Sequence, residues 1–424
     1  MIIVNGNEEP SSIKVGSKDV QAVYSGSQLV WPKHPYNPRN LELVSKIDVA
    51  APASGRYGTC NTLCIDNPNR WLLFDRGYFD DSYEANLWYY SDDQGSTWKV
   101  NDNKPNGWYT DKPPRPAVYG VSWNGSVWLA WGYACLVMWS SDGLNWEIID
   151  QQGLWDFFHK TTTQVQFSVA APREDGTWWV YGKVLPPMPE DQDHPIAIRI
   201  IPKTSNRPYT WENMPSGAPI NPNDWNDPSR ASYVATGPVG TPQNDYVCVN
   251  WFGTSDDTRN KFTHRSHTVD MELVRRSDEG NQEQIMYHSV DGWSGFIARV
   301  SGGLEFSESN ENFTKHDLPT SSGKNPWGLH HIAANKETGQ VFLMGYSEEG
   351  IILEEKNLFH LYMWHPQTGI EKTGWCYTAR DLQQHPNRDS RPYCIYSQGD
   401  RFVIQTWHPA YKDVATYVYK WKQS

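Results

Sequence analysis

The feature that most constrains this chain is a short unit that recurs along it. Each unit is an apolar strand, a polar turn and an aromatic-rich strand that ends near a glycine or an aromatic residue. Six copies are recognisable, at Thr59–Gly77, Ala117–Gly132, Phe167–Gly182, Tyr233–Gly253, His330–Tyr346 and Tyr393–Trp407. Each copy is long enough for two paired strands, so the repeat predicts a fold that uses one supersecondary unit several times.

The segments between the copies predict how the hairpins combine. A further aromatic strand and turn follow the first two hairpins, at Asn86–Val100 and Leu136–Ile149. Four strands per unit is the size of one propeller blade. The sequence therefore predicts an all-β fold, a six-bladed β-propeller, with five or seven blades as alternatives. Residues 254–284 are interpreted as a polar insertion in the fourth blade. A two-sheet sandwich competes with this fold, but it does not explain six similar units.

The two ends of the repeated region predict how the ring closes. The last unit stops after its third strand, Val414–Trp421, and a strand-like segment, Leu41–Val49, precedes the first unit. If that segment supplies the missing fourth strand, no sheet edge is left exposed. The predicted organisation is an N-terminal β-hairpin module in residues 1–32, a Pro-rich linker in residues 33–40, and a propeller in residues 41–424.

Composition excludes several classes of function. The net charge of −12 is opposite to the basic surface that nucleic-acid binding needs. No apolar stretch is long enough to span a bilayer. We therefore expect neither nucleic-acid binding nor membrane insertion. The six cysteines show no paired CxxC framework, and we expect buried free thiols. No cofactor and no metal site is predicted.

One turn motif carries specific local chemistry. Residues 91–98 read S-D-D-Q-G-S-T-W, and residues 140–146 repeat a shortened form, S-S-D-G-L-N-W. The aspartate is expected to accept backbone N–H groups, the glycine to take a positive φ, and the tryptophan to be buried. Weaker versions occur at 209–211 and 307–313. The positions expected to build these turns are Ser91, Asp93, Gly95, Trp98, Ser140, Asp142, Gly143 and Trp146. The motif resembles the Asp-box, or BNR repeat, of sialidase-like propellers, which implies that the turns lie away from the central site.

Arginines mark the starts of four predicted innermost strands. Each is followed closely by a tyrosine; they are Arg56, Arg115, Arg230 and Arg391. Because innermost strands converge on the axis, we expect these guanidinium groups at one end of the ring, where they would suit a carboxylate ligand. The alternative is that each arginine pairs with a carboxylate of a neighbouring blade and only holds the ring together.

The first unit also resembles the first blade of sialidases. The order is SGRYG, then LLFDRG, then Asp80-Asp81, then the turn motif. This resemblance implies that Arg56 and Arg76 bind a substrate carboxylate and that Asp80 or Asp81 is an acid/base. Tyr393 is a further catalytic candidate. The sialidase F/Y-R-I-P motif is not intact at Arg56, and a literal R-I-I-P lies elsewhere, at 199–202. Whether the chain is an enzyme stays open, and binding is favoured over cleavage.

The N-terminal segment resembles a different group of proteins. Residues 12–32 read SIKVGSKDVQAVYSGSQLVWP. The pattern V-G-x-x-x-V-x-x-V-Y-x-G-S-x-x-V-W is similar to the N-terminal segment of many bacteriophage tail and virion proteins. A two-stranded hairpin is marginally stable alone, so it should dock on something. The resemblance implies contact with other virion proteins through residues 1–32 and a location in the virion, after assembly in the host cytoplasm.

Three functions follow from these observations. The leading hypothesis is a phage virion structural protein, anchored by its N-terminus, whose propeller head binds a host surface glycan. The second is a virion-associated, sialidase-like glycosidase or polysaccharide-degrading enzyme. The third is a purely architectural propeller of a tail or capsid.

Overall fold

A computed structural model describes the chain in segments. These are residues 14–15, 18–19, 23–25, 28–31, 41–49, 62–74, 88–103, 105, 117–158, 164–172, 175–185, 194–213, 233–238, 245–252, 262–267, 273–277, 284–290, 293–300, 303–308, 313–318, 332–346, 358–366, 369–378, 391–407 and 414–421. Apart from one helix, α1 (Gln151–Phe158), the regular elements of this part of the chain are strands.

The N-terminal module contains two small sheets rather than the single hairpin that the sequence predicts. Strand β1 (Lys14–Val15) pairs with β2 (Lys18–Asp19), and β3 (Val23–Ser25) pairs with β4 (Gln28–Trp31). Val15 pairs with Lys18 and Ser25 with Gln28, so each sheet is formed by strands that are close together in sequence. In the described residues these four strands pair with no strand of the following sheets.

The described part of the remaining chain forms seven four-stranded antiparallel sheets, which we number as blades in chain order. Blade 1 contains β6 (Thr62–Cys64), β7 (Trp71–Phe74), β8 (Trp88–Ser91) and β9 (Lys99–Asn101). Blade 2 contains β10 (Val118–Trp123), β11 (Trp128–Gly132), β12 (Val137–Ser140) and β13 (Glu147–Ile148). Blade 3 contains β14 (Gln164–Pro172), β15 (Trp178–Leu185), β16 (His194–Ile201) and β17 (Thr210–Asn213).

The remaining blades follow the same order of strands. Blade 4 contains β18 (Tyr233–Pro238), β19 (Asp245–Phe252), β20 (Phe262–His267) and β21 (Leu273–Ser277). Blade 5 contains β22 (Gln284–Val290), β23 (Trp293–Val300), β24 (Gly303–Ser307) and β25 (Thr314–Asp317). Blade 6 contains β26 (Ile332–Ala334), β27 (Val341–Tyr346), β28 (Leu358–His365) and β29 (Gly369–Thr378). Blade 7 contains β30 (Arg391–Gln398), β31 (Arg401–Trp407), β32 (Val414–Trp421) and β5 (Leu41–Val49).

The described sheets number one more than the six blades expected first, and they match the seven-bladed alternative. The difference lies between residues 254 and 317. The segment interpreted as an insertion supplies β20 and β21, which complete blade 4, and the strands after it form blade 5. Blade 5 was not recognised as a copy of the repeat, although β23 contains Trp293 and Phe296. Its signal was instead the dipeptide Asp291-Gly292 between β22 and β23, which favours a two-residue hairpin turn.

Neighbouring blades contact one another around a closed ring. The first strands of blades 1 to 5 contact in sequence, as do those of blades 6 and 7. A hydrophobic cluster joins blades 5 and 6, and another joins blades 7 and 1. The side chains of β31 alternate between the two faces of the sheet: Phe402 and Ile404 pack with blade 6, whereas Val403 packs with blade 1. The all-β propeller that the sequence predicts is therefore confirmed.

The ring is closed by β5, the described strand that directly precedes blade 1 in the sequence. Strand β5 pairs antiparallel with β32, with Leu41 opposite Trp421 and Val49 opposite Val414. This pairing completes blade 7 with a strand from the other end of the sequence. A blade completed in this way leaves β32 without a free edge, which protects the seam from pairing with other chains.

Candidate functional site

The register of blade 7 defines two ends of the ring. The turn between β30 and β31 lies at one end, together with Leu41, because Gln398 pairs with Arg401, Arg401 with Lys420, and Trp421 with Leu41. We call this the turn end. At the other end, Arg391 pairs with Trp407, and Val414 with Val49. We call this the opening end, because each first strand begins there.

The turn at 91–98 is at the turn end and is held by its own side chains. Trp71 pairs with Ser91, which brings this turn beside the one between β6 and β7. The carboxylate of Asp93 accepts hydrogen bonds from the Thr97 backbone N–H (2.8 Å) and hydroxyl (2.7 Å). The Ser91 hydroxyl donates to Asp93 (2.7 Å) and accepts from the Gly95 N–H (2.7 Å). These bonds lower the pKa of Asp93 although desolvation acts to raise it.

The turn at 140–146 repeats the arrangement in blade 2. Asp142 accepts from the backbone N–H groups of Leu144 and Asn145, both at 2.8 Å, and from the Asn145 side chain at 2.7 Å. Desolvation alone would raise the pKa of Asp142, but the hydrogen bonds together outweigh it and lower the pKa to about 2. The Ser140 hydroxyl accepts from the Gly143 N–H at 2.8 Å. Both aspartates are therefore ionised at neutral pH, and their carboxylates accept hydrogen bonds from residues of their own turns.

The tryptophan of each turn packs on the preceding blade. Trp146 of blade 2 lies edge-on to Phe74 and Trp88 of blade 1, with ring centroids 5.5 and 6.0 Å apart. Trp98 of blade 1 packs on the cluster that includes Val418 of blade 7. Each turn therefore joins two blades, and burial of the indole extends across the blade boundary rather than within one sheet.

The glycines of both turns also touch the preceding blade. Gly95 and Gly143 have φ of 80° and 73°, a region that other residues enter at a cost. A Cβ at Gly95 would lie 2.9 Å from Val418 of blade 7, and one at Gly143 would lie 3.1 Å from Leu72 of blade 1. Both positions therefore require glycine, first for the positive φ of the turn and second for the close approach of the turn to the preceding blade.

Two arginines connect the turns to the preceding blades. Arg70 of blade 1 donates to Asp92 of its own blade at 2.6 Å and to the Asp142 carbonyl of blade 2 at 2.5 Å. Arg401 of blade 7 donates to the Ser96 hydroxyl of blade 1 at 3.3 Å. Both arginines stand at the start of the second strand of their blade. This repeated contact uses guanidinium groups to hold neighbouring blades together.

A second repeated turn carries a signal that sequence reasoning missed. The Asn67 side chain accepts from the N–H groups of Asn69 and Arg70 between β6 and β7. The same local pattern occurs between the first and second strands of three further blades, at Asn124, Asp175 and Asn335. An Asn or Asp at this position mimics a backbone turn. Its recurrence just before an aromatic or apolar strand start could have located these hairpins.

Most of the predicted ligand and catalytic residues lie outside the described residues. They are Arg56, Arg76, Asp80, Asp81, Arg115 and Arg230. Arg391 and Tyr393 lie on β30, where the structure describes the backbone, and Arg391 begins that innermost strand at the opening end. The clustering of the arginines around the axis stays a prediction.

The literal R-I-I-P segment has a structural environment of its own. Arg199 lies on β16 of blade 3 opposite Glu212 of β17, and the two side chains form an ion pair across the strands. This arginine is therefore engaged on an outer strand of its sheet, and it does not lie on the innermost strand of blade 3.

The described cysteine thiols are free and buried; they are Cys64, Cys135 and Cys394. Burial raises the pKa of Cys64 and of Cys135, so both thiols stay protonated at neutral pH.

Among the described residues no group of three or more His, Cys, Asp or Glu side chains could hold a metal ion. Within the same residues no helix has the length and apolar character needed to cross a bilayer.

Comparison with known proteins concerns the fold alone. No protein-family model matches the chain, and no curated protein matches it. The chain is similar to the structure of streptogramin B lyase, at 11% identity and a TM-score of 0.45, over 90% of this chain and 98% of that one. It is similar to the Dos1 propeller, at 9% identity and a TM-score of 0.49, over 90% of this chain and 96% of that one. It is also similar to Sqt1 of Saccharomyces cerevisiae, at 9% identity and a TM-score of 0.47, over 90% of this chain and 99% of that one. The propeller assignment itself rests on the seven sheets and their order.

Proposed function

We propose that this chain is a structural protein of a bacteriophage virion. Residues 1–32 attach it to other virion proteins, and the propeller is a displayed head that binds a host surface glycan at the opening end. The N-terminal pattern V-G-x-x-x-V-x-x-V-Y-x-G-S-x-x-V-W supports attachment to a virion. The difference between the two ends of the ring supports the display of one face to the host.

That polarity is the observation that carries the proposal. The chain enters the propeller at Leu41, at the turn end, whereas Arg391 begins its strand at the opening end. The eight residues of β30 separate the two ends by roughly 25 Å at about 3.3 Å per residue. A module attached before Leu41 therefore leaves the opening end on the far side of the ring. This geometry suits a head that is anchored at one face and binds with the other.

The N-terminal module supports the attachment role. Its strands pair only with one another in the described residues, and β5 already completes blade 7. None of the described strands in residues 1–32 belongs to a sheet of the propeller. These residues can serve an external partner without opening the ring.

Binding without cleavage follows from the chemistry of the candidate residues. The arginines Arg56, Arg115, Arg230 and Arg391 would hold a carboxylate in the ground state and in the transition state about equally, which aids binding and does not accelerate cleavage. Retaining glycoside hydrolysis needs a nucleophile facing an acid/base across the sugar. Asp80 or Asp81 offers one half of that arrangement.

Truncation tests the attachment role. A chain lacking residues 1–32 should melt at the same temperature as the full chain and should be absent from purified particles, measured by quantitative mass spectrometry. The matched control is the chain with Lys14→Ala and Gln28→Ala, which keeps the module's apolar residues and should still be incorporated. Incorporation of the truncated chain at the full-length level would contradict the attachment role.

A separate measurement tests the binding role. Titration with an acidic oligosaccharide should show weaker binding for Arg391→Ala than for Arg207→Ala, a matched variant in the turn between β16 and β17. Fluorogenic sialosides should not be cleaved. Equal binding by both variants would favour the architectural alternative, and turnover that disappears in Asp80→Ala or Asp81→Ala would favour the enzyme.

A further inference from the structure

The one helix in the described residues holds an aromatic ledge between blades 2 and 3. Helix α1 follows β13, and its Leu154 is fully buried in the cluster that joins the two blades. The Gln151 side chain donates to the Ala134 carbonyl at 2.7 Å, which ties the start of the helix to blade 2. The helix is therefore fixed at both its first turn and its buried face.

A carboxylate fixes the neighbouring ring on blade 3. The indole N–H of Trp211, on β17, donates to Asp150 Oδ2 at 3.1 Å, and Asp150 Oδ1 accepts the Gly153 N–H at 3.2 Å. A Cβ at Gly153 would lie 2.1 Å from the Asp150 carboxylate, so the glycine makes room for it. Asp150 also adopts a φ of 33°, which costs free energy in a residue other than glycine. The structure holds this carboxylate in place at a cost in strain.

The ledge is completed by an exposed ring. Phe157 is 47% exposed, whereas the other exposed large hydrophobic residues of the described chain, Leu43 and Val100, are aliphatic. It meets Trp211 edge-on at 5.3 Å between ring centroids. Trp211 is half-buried and packs against the cluster that joins blades 2 and 3.

We propose that this ledge, Phe157 and Trp211 with Asp150, binds a neutral glycan. Aromatic faces pack on the apolar C–H face of a sugar ring, and carboxylate oxygens accept its hydroxyl donors. Among the described residues, Asp150 and Asp156 bring negative charge to the helix side of the ledge, while Glu212 is paired with Arg199. A carboxylate oxygen accepts more than one hydrogen bond, so Asp150 can accept from a neutral sugar while it holds Trp211 and Gly153, and its charge repels an acidic sugar. The ledge therefore suits the opposite class of glycan from an arginine cluster.

Rigidity supports a binding role over a purely structural one. A preformed site loses less conformational entropy when a ligand binds. Here the helix start, the indole N–H and the carboxylate are each held by a hydrogen bond, and Gln152 donates to Asp156 at 2.7 Å across one helical turn. The exposed ring is thus presented on a fixed support.

The test uses the full chain and a panel of neutral oligosaccharides of glucose, galactose, mannose and rhamnose, with sialyllactose as the acidic comparison. Binding is followed by tryptophan fluorescence and by isothermal titration. At least one neutral oligosaccharide should bind, and Phe157→Ala and Asp150→Asn should each weaken it by roughly tenfold, the value of one aromatic contact or hydrogen bond.

The matched control is Val100→Ala, which removes another exposed hydrophobic side chain from the outer strand of blade 1. It should bind as the unmodified chain does, and the melting temperature of each variant confirms folding. If Phe157→Ala lowers the melting temperature strongly, Phe157→Leu keeps the apolar packing and should still lose binding. Absence of binding by every neutral oligosaccharide, or neutral binding that Phe157→Ala leaves unchanged, would each overturn the proposal; sialyllactose binding that is lost in Phe157→Ala would overturn the neutral specificity.

Discussion

Arg70 and Asp142 join two blades through a single hydrogen bond: the Arg70 guanidinium donates to the Asp142 backbone carbonyl at 2.5 Å. The same guanidinium contacts Asp92 and lies over the Tyr90 ring, 5.2 Å from its centroid. Arg401 makes the equivalent contact from blade 7 to blade 1. The turns of blades 1 and 2 thus each rest on the blade before them, and an arginine at the start of that blade's second strand holds each turn there.

Removal of this contact should destabilise the ring. Arg70→Ala is expected to lower the free energy of unfolding by about 1–3 kcal/mol, because it removes charge-assisted bonds to two turns. Arg70→Lys should recover part of the loss, since it keeps the charge without the planar fork. Urea unfolding followed by tryptophan fluorescence measures both. Equal stability of Arg70→Ala and the unmodified chain would show that the contact does not support the ring.

Two glycines offer a matched pair. Gly95 and Gly125 have φ of 80° and 97°, but a Cβ at Gly95 meets Trp71 at 2.8 Å and Val418 at 2.9 Å, whereas one at Gly125 meets nothing within 4 Å. Gly125→Ala should cost about 1 kcal/mol for backbone strain alone. Gly95→Ala should cost about 1–3 kcal/mol more because it also overpacks the boundary between blades 7 and 1. Similar costs for the two variants in thermal unfolding would refute this role of Gly95.

The turn aspartates should make stability depend on acid pH. The folded pKa of Asp142, about 2, lies below its usual value of 3.8, so the unfolded chain binds a proton first as the pH falls. The stabilisation is fully present above about pH 4 and is lost as the pH falls towards 2. Asp142→Asn should be less stable at neutral pH and should show a smaller further loss between pH 4 and pH 2. A steeper loss in the variant would contradict this linkage.

The buried thiols should be inert in the folded chain. Cys64, Cys135 and Cys394 are buried, and desolvation raises the pKa of the first two, which suppresses the reactive thiolate. Iodoacetamide should modify these three residues only after unfolding, as measured by peptide mapping. Modification of Cys64 in the native chain at the rate of an exposed thiol would show that this part of blade 1 opens readily.

The sequence predicts the propeller because its hairpins repeat. The strand pairs, the closing strand Leu41–Val49 and the residues of the two turns follow from local patterns of apolar, glycine and aspartate residues. Blade 5 was missed because the polar residues before it, 254–284, were interpreted as an insertion in blade 4. The inter-blade contact of Arg70 was also missed, because it joins residues far apart in sequence. The ledge at Phe157 was missed because helix α1 lies outside the repeated pattern of strands.

Polarity on the particle is the most direct test of the proposed function. We propose that the turn end faces the virion and the opening end faces the host. A cryo-EM map of the phage particle should show seven-bladed rings with Leu41 and the preceding module towards the particle body and Arg391 on the outer side. Rings held in the reverse orientation, or buried on both faces inside a tail or capsid, would contradict an anchored and displayed head.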